Sequence, residues 1–191
     1  MMKKFLFYLV TVTLVLTGLL RFSIEFETAQ NIAMRQFAGL ILNQQDLPQS
    51  DSLRVYVCGS ASPLGRSDQA QSCLAVVTPQ HFYIVDSGAG AAANVARASL
   101  PMHRLRGVFL THFHSDHIGE IYEMNLASWI QGRPEPLRIF GPKGVRQIVS
   151  GINETYEQDR GYRVEHHGSE LLPPELGKLV HKSIKEGTVL E

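Results

Sequence analysis

The apolar positions of the chain change rhythm three times, and each rhythm predicts a different kind of element. Phe5–Leu20 is a run of sixteen residues without a charge, preceded by Lys3 and Lys4 and followed by Arg21. At about 1.5 Å per residue a helix of that length reaches roughly 24 Å, somewhat short of a ~30 Å hydrocarbon core. Leu53–Cys58 alternates and is rich in β-formers, Cys73–Thr78 is a second such segment, and His81–Val85 follows a Pro79-Gln80 turn. Three strands are expected there. Ala89–Ser99 reads as an Ala-rich helix stopped by Pro101. Gly107–Thr111 is a short apolar run of the kind buried on both faces. Helical spacing returns at Ile118, Ile121, Tyr122, Leu126, Trp129 and Ile130, up to Gly132 and Pro134. Leu137–Phe140 is a further strand, and Val145, Ile148, Val149, Ile152 and Tyr156 form one face of a further helix. A weaker amphipathic stretch, Ile32 to Leu42, predicts a helix within a polar linker. Hairpin strands followed by helix–strand–helix alternation define a layered α/β domain.

Three segments result. Residues 1–24 form a signal peptide or membrane anchor, residues 25–50 a linker, and residues 51–191 the folded domain. The basic start and the apolar run place the N-terminus on the cytoplasmic side and the body outside, periplasmic or extracellular. A buried core helix is the competing reading of the same run. With 191 residues and 44% hydrophobic content, one domain with a real core is affordable, and disorder is excluded. Lys plus Arg and Asp plus Glu both number 18, but the basic Lys3, Lys4 and Arg21 all precede residue 22. The body is therefore slightly acidic, which argues against nucleic acid as a partner. Cys58 and Cys73 are the only cysteines. They form either a disulfide, which export would permit, or a pair of small buried hydrophobes.

The chemistry concentrates in Thr111-His112-Phe113-His114-Ser115-Asp116-His117, at the end of a predicted buried strand. On extended chain His112 and His114 project to the same side, so both imidazoles can grip one cation. Asp116 and His117 then point from the start of a helix toward a neighbouring point. Histidine nitrogens with a carboxylate suit one or two Zn²⁺ ions, with Mn²⁺ or Fe²⁺ as substitutes. One loop leaves coordination positions open for water, as a site for catalysis requires.

The His-x-His-x-Asp-His motif, preceded by Val108-Phe109-Leu110-Thr111 and followed by Ile118-Gly119, resembles the signature of the metallo-β-lactamase superfamily. Phe82–Gly88 resembles that superfamily's earlier strand ending in Asp. Cys58–Pro63 with Arg66 and Ser72-Cys73-Leu74, and Phe140–Gly144, resemble its ribonuclease Z and arylsulfatase-like branch, although Ala61 stands where that branch commonly has a second Gly. The resemblance implies the N-terminal half of a four-layer αβ/βα fold. It implies that His112 and His114 bind a first metal and that Asp116 and His117 bind a second. Asp116 would also hold the attacking hydroxide. Asp86 would orient a ligand histidine, or else cap the helix that follows it. The activity implied is hydrolysis of a small ester, a phosphodiester or a sulfate ester. A β-lactam or lactone hydrolase on the same fold, and a non-catalytic, membrane-tethered metal-binding remnant, are the alternatives. The superfamily's further ligands lie downstream, where this chain offers His166, His167 and His181. The domain is accordingly expected to be incomplete, with one apolar sheet face uncovered.

Overall fold

The computed structural model describes residues 2–25, 30, 32, 52–64, 68–185 and 187. It divides into two units, Met1–Asn43 and Gln44–Glu191. The first contains helix α1, Met2–Glu25, whose Lys4–Phe22 stretch has a mean hydropathy of 2.0 and no buried residue. By length and composition that stretch can cross a membrane. The helix outruns the expected segment by one residue, to Glu25. Most of the expected Ile32–Leu42 helix and Arg66 lie outside the described residues.

The second unit is built on one six-stranded sheet whose spatial order follows the sequence: β1 Arg54–Gly59, β2 Cys73–Val77, β3 Phe82–Val85, β4 Leu105–Phe109, β5 Arg138–Gly141 and β6 Val180–Ser183. The first three strands are antiparallel neighbours, and β3 to β6 run parallel. Each parallel pair requires a crossover. These crossovers carry α2 Ala91–Arg97, the short α3 Ser115–Ile118, α4 Ile121–Ile130, α5 Val145–Thr155 and α6 Glu157–His167.

Period-two alternation sorts the sheet into two faces. Ala75, Val77, Phe82, Ile84, Val108 and Ile139 are buried in one core with Val95 of α2, Ile121 and Met124 of α4, and Val145 and Val149 of α5. The opposite face carries Val55 and Val57 of β1, 54% and 68% exposed. Beside them Tyr83, Phe109 and Phe140 form a ladder of rings, with centroids 5.6 Å and 4.5 Å apart. Cys58 and Cys73 are bonded as a disulfide, with Cα atoms 5.0 Å apart where β1 meets β2.

Three expected elements change on folding. β4 begins at Leu105 rather than Gly107, because Leu105 pairs with Phe82 and is fully buried. It ends at Phe109, and Thr111 leaves the ladder to donate its amide to the Asp86 carboxylate. The helix expected from Ile118 begins at Ile121 as α4, and Ser115–Ile118 forms the separate short α3, because the Glu120 amide donates to Ser87 O at 2.8 Å instead of to the preceding turn. The Ala-rich helix is shortened to Ala91–Arg97, with Ser99 beyond it in a left-handed conformation at φ 52°. Strand β6 has no counterpart in the sequence reading. Its approach is held by buried Arg133, which donates to Asn125 Oδ1 (2.9 Å) and Leu176 O (2.8 Å), and by Trp129 Nε1 donating to Pro173 O. Burial pushes the Arg133 guanidinium down to about 10.

Candidate metal centre

Two adjacent parallel strands, β3 and β4, end side by side and deliver the polar groups of the site. At the end of β3, Asp86 adopts a left-handed backbone, φ 59°, which Asp tolerates better than most residues. Its side chain is buried and satisfied from three directions. Oδ1 accepts from the Thr111 amide at 2.9 Å, while Oδ2 accepts from Thr111 Oγ1 at 2.9 Å and from His117 Nδ1 at 2.8 Å. Asp86 does not cap α2, so of the two roles open to it the structure shows only the contact with a histidine. With Nδ1–H donated to Asp86, the lone pair of a neutral His117 ring resides on Nε2. That nitrogen lies 3.4 Å from Asp116 Oδ2 and 3.4 Å from Ser72 Oγ.

His112 and His114 project to the same side, as extended geometry requires, with His112 Nε2 and His114 Nδ1 3.0 Å apart. Thr111 Oγ1 lies 3.0 Å from His112 Nδ1. The His112 ring is 4.0 Å from that of His117 between centroids, so all three rings share one cluster. Phe113 points the other way, against the loop after β5. A Cβ on Gly144 would approach its ring to 3.1 Å.

Asp116 is 5% exposed, and its Oδ1 is buried without a hydrogen-bond partner. A buried carboxylate oxygen in that state is costly unless a cation meets it. Among the described residues no group of three or more His, Cys, Asp or Glu side chains is already spread around a common point. The imidazoles instead lie against one another, His112 edge-on to His114 and tilted to His117. The donor set nonetheless fits a divalent metal in its chemistry: three imidazoles, one fixed in tautomer by a carboxylate, beside a buried carboxylate with an unused oxygen. His166 and His167 contact each other at the end of α6, and His181 pairs opposite Ile139 in the sheet. The structure does not bring these three to the cluster. Burial, helped by the charges of His166 and Arg163, holds the His167 imidazole below its ordinary value.

Four contributors escaped the sequence reading: the Thr111 side chain, Ser72, Ser87 and Glu120. Ser87 donates its amide to His117 O at 2.7 Å and accepts from Glu120 N at 2.8 Å. Glu120 reaches across to the N-terminus of α2, where its carboxylate accepts from Gly90 N (2.6 Å) and Ala92 N (2.8 Å). Nothing local in the sequence announces the contacts of Ser87 and Glu120, or that of Thr111 with Asp86, since each joins segments distant along the chain.

Fold, donor cluster and sequence together place the chain in a family: residues 66–182 match the model of the metallo-beta-lactamase superfamily, and the chain belongs to it. Among its relatives are the ribonuclease Z of Mycobacterium bovis (strain BCG / Pasteur 1173P2), 33% identical over 125 residues, covering 64% of this chain and 45% of that protein. The ribonuclease Z of Mycobacterium marinum (strain ATCC BAA-535 / M) is 31% identical over 140 residues, covering 72% and 49%. The metallo-beta-lactamase fold protein YhfI from Bacillus subtilis superposes with a TM-score of 0.50 at 19% identity, over 71% of this chain and 48% of that one. The chain spans about half the length of the curated relatives it matches.

Proposed function

We propose that the chain is, or forms part of, a metal-dependent hydrolase of phosphodiester bonds whose metal is held by His112, His114, Asp116 and His117. The observation that carries this reading is the Asp86-oriented His117 beside a buried Asp116 carboxylate whose Oδ1 has no hydrogen-bond partner. Zn²⁺ held there would supply Lewis-acid activation of water and of the scissile ester. The chain's own residues do the rest. His112 and His114 present nitrogens from one side of an extended segment, and Asp116 offers a carboxylate oxygen for the ion or for the proton of the attacking water. Asp86 keeps the His117 proton on Nδ1, leaving Nε2 free to ligate.

Similarity to proteins named ribonuclease Z supports phosphodiesters over sulfate esters. It also weighs against the exclusion of nucleic acid that the acidic body suggested, so RNA belongs to the substrate class. Helix α1, with Lys3 and Lys4 before its apolar stretch, supports an anchored or exported chain with its N-terminus in the cytoplasm.

The test is zinc stoichiometry of the full chain in mild detergent, alongside hydrolysis of an activated phosphodiester and of a short RNA. Bound zinc that is lost in His112→Ala, with zinc-dependent turnover of either substrate, is the expected result. No zinc bound at micromolar supply would overturn the reading.

A further inference from the structure

Glu120 stands three residues past His117, outside the donor motif, yet its carboxylate is committed across the fold. Both oxygens accept backbone amides at the N-terminus of α2, one from the N-cap Gly90 and one from Ala92 in its first turn. Helix α2 has no side-chain cap of its own: its N-cap is Gly90, at φ 84°. The cap is supplied from the metal-site turn instead.

This contact is the outer end of a seam between residues 86–92 and residues 116–120. At the inner end Asp86 holds the His117 ring. Next, Ser87 accepts from Glu120 N and donates to His117 O. Between them Gly88 lies so close to the turn that a Cβ there would come within 2.1 Å of Asp116 O. The turn bearing Asp116 and His117 is thus fastened at both ends, by Asp86 on one side and by Glu120 on the other. We propose that Glu120 is a positioning residue for the metal site: by clamping Gly90 and Ala92 it fixes the turn from which Asp116 and His117 project. The part concerning metal rests on the function proposed above. The clamp itself does not.

Groups that orient a metal's ligands typically change affinity by about 10–100-fold when removed. Glu120→Ala in the full chain should therefore weaken zinc binding about tenfold or more, measured by competition with a chromophoric chelator. Glu120→Gln keeps one acceptor oxygen and should lose less. A merely structural role is separated by Asn153→Ala, which removes the bonds of Asn153 to Leu179 N and O, remote from the cluster. That variant should lose thermal stability and keep its zinc affinity. A second readout needs no metal. In the metal-free chain, hydrogen exchange at the Ser87 and Glu120 amides should accelerate in Glu120→Ala and not in Asn153→Ala.

Unchanged zinc affinity and unchanged exchange in Glu120→Ala would overturn the proposal, as would equal losses in Asn153→Ala. A parent chain that binds no zinc would overturn the metal reading. Exchange at Ser87 and Glu120 would still decide the clamp.

Discussion

Asp86, just past the end of β3, and His117, in α3, meet at 2.8 Å across 31 residues of chain, carboxylate to Nδ1. The same carboxylate fixes Thr111 by its amide and its hydroxyl, so one buried side chain sets both the start and the end of the donor segment. Replacing it with Asn keeps the volume but leaves one oxygen where two accept three bonds. Asp86→Asn is expected to weaken zinc binding by about 10–100-fold while the chain remains folded. Zinc titration together with circular dichroism checks this; affinity equal to the parent's would refute it.

Gly88 is demanded by close approach rather than by backbone conformation. A Cβ would meet Asp116 O at 2.1 Å and Asp116 C at 3.0 Å, and backbone cannot swing aside as a flexible side chain can. Gly88→Ala should cost about 1–3 kcal/mol of stability, the usual range for overpacking. Because the strain falls on the Asp116 turn, zinc affinity should fall too. Urea denaturation with and without zinc measures both, and a variant as stable as the parent would contradict the close approach.

The Cys58–Cys73 bridge closes a loop with a sequence separation of 15, which in the chain-entropy account is worth about 3 kcal/mol. Denaturation midpoints recorded with and without a phosphine reductant should differ accordingly. Mass spectrometry of the unreduced, denatured chain should find no free thiol. Two alkylatable thiols in protein recovered from an oxidising compartment would disprove the bridge.

Asp159 accepts from Arg163 Nε at 2.8 Å and from Tyr122 OH at 2.6 Å. The Arg163 hydrogen bond, foremost, and then that of Tyr122 hold the Asp159 carboxyl below its ordinary value. A depressed carboxyl contributes stability above its unfolded value, about 3.9, and that contribution is lost as pH falls through the folded value. Asp159→Asn should flatten the acid limb of the stability profile below about pH 4 and leave its shape near neutrality unchanged. The side chain is partly exposed, so the effect should shrink in high salt. Thermal melts across pH 2–7 at two salt concentrations test it; an unaltered acid limb would count against the linkage.

Helix α1 predicts where the chain resides. Its Lys4–Phe22 stretch should carry the full chain into the membrane fraction, or be cleaved on export. Fractionation with N-terminal sequencing decides the matter, and an intact chain found wholly in the cytosolic fraction would refute both outcomes.

Local rules determined much of this protein before any fold was known. Alternation located β1, short apolar segments beside a Pro79-Gln80 turn located β2 and β3, the 3.6-residue rhythm located α5, and two-residue spacing put His112 and His114 on one side. Each of those signals is carried by neighbours in sequence. The sequence reading reached Asp86 only through a family resemblance, and of its two possible roles the parallel pairing of β3 with β4 selected the one beside His117. Strand β6 stayed unseen because Val180, His181, Lys182 and Ser183 are all exposed and lack apolar alternation; its place comes from pairing with β5. The split between α3 and α4, and the reach of Glu120 to Gly90 and Ala92, were equally hidden. A backbone amide or a carboxylate can choose among many partners, and only the folded chain brings one of them within about 3 Å.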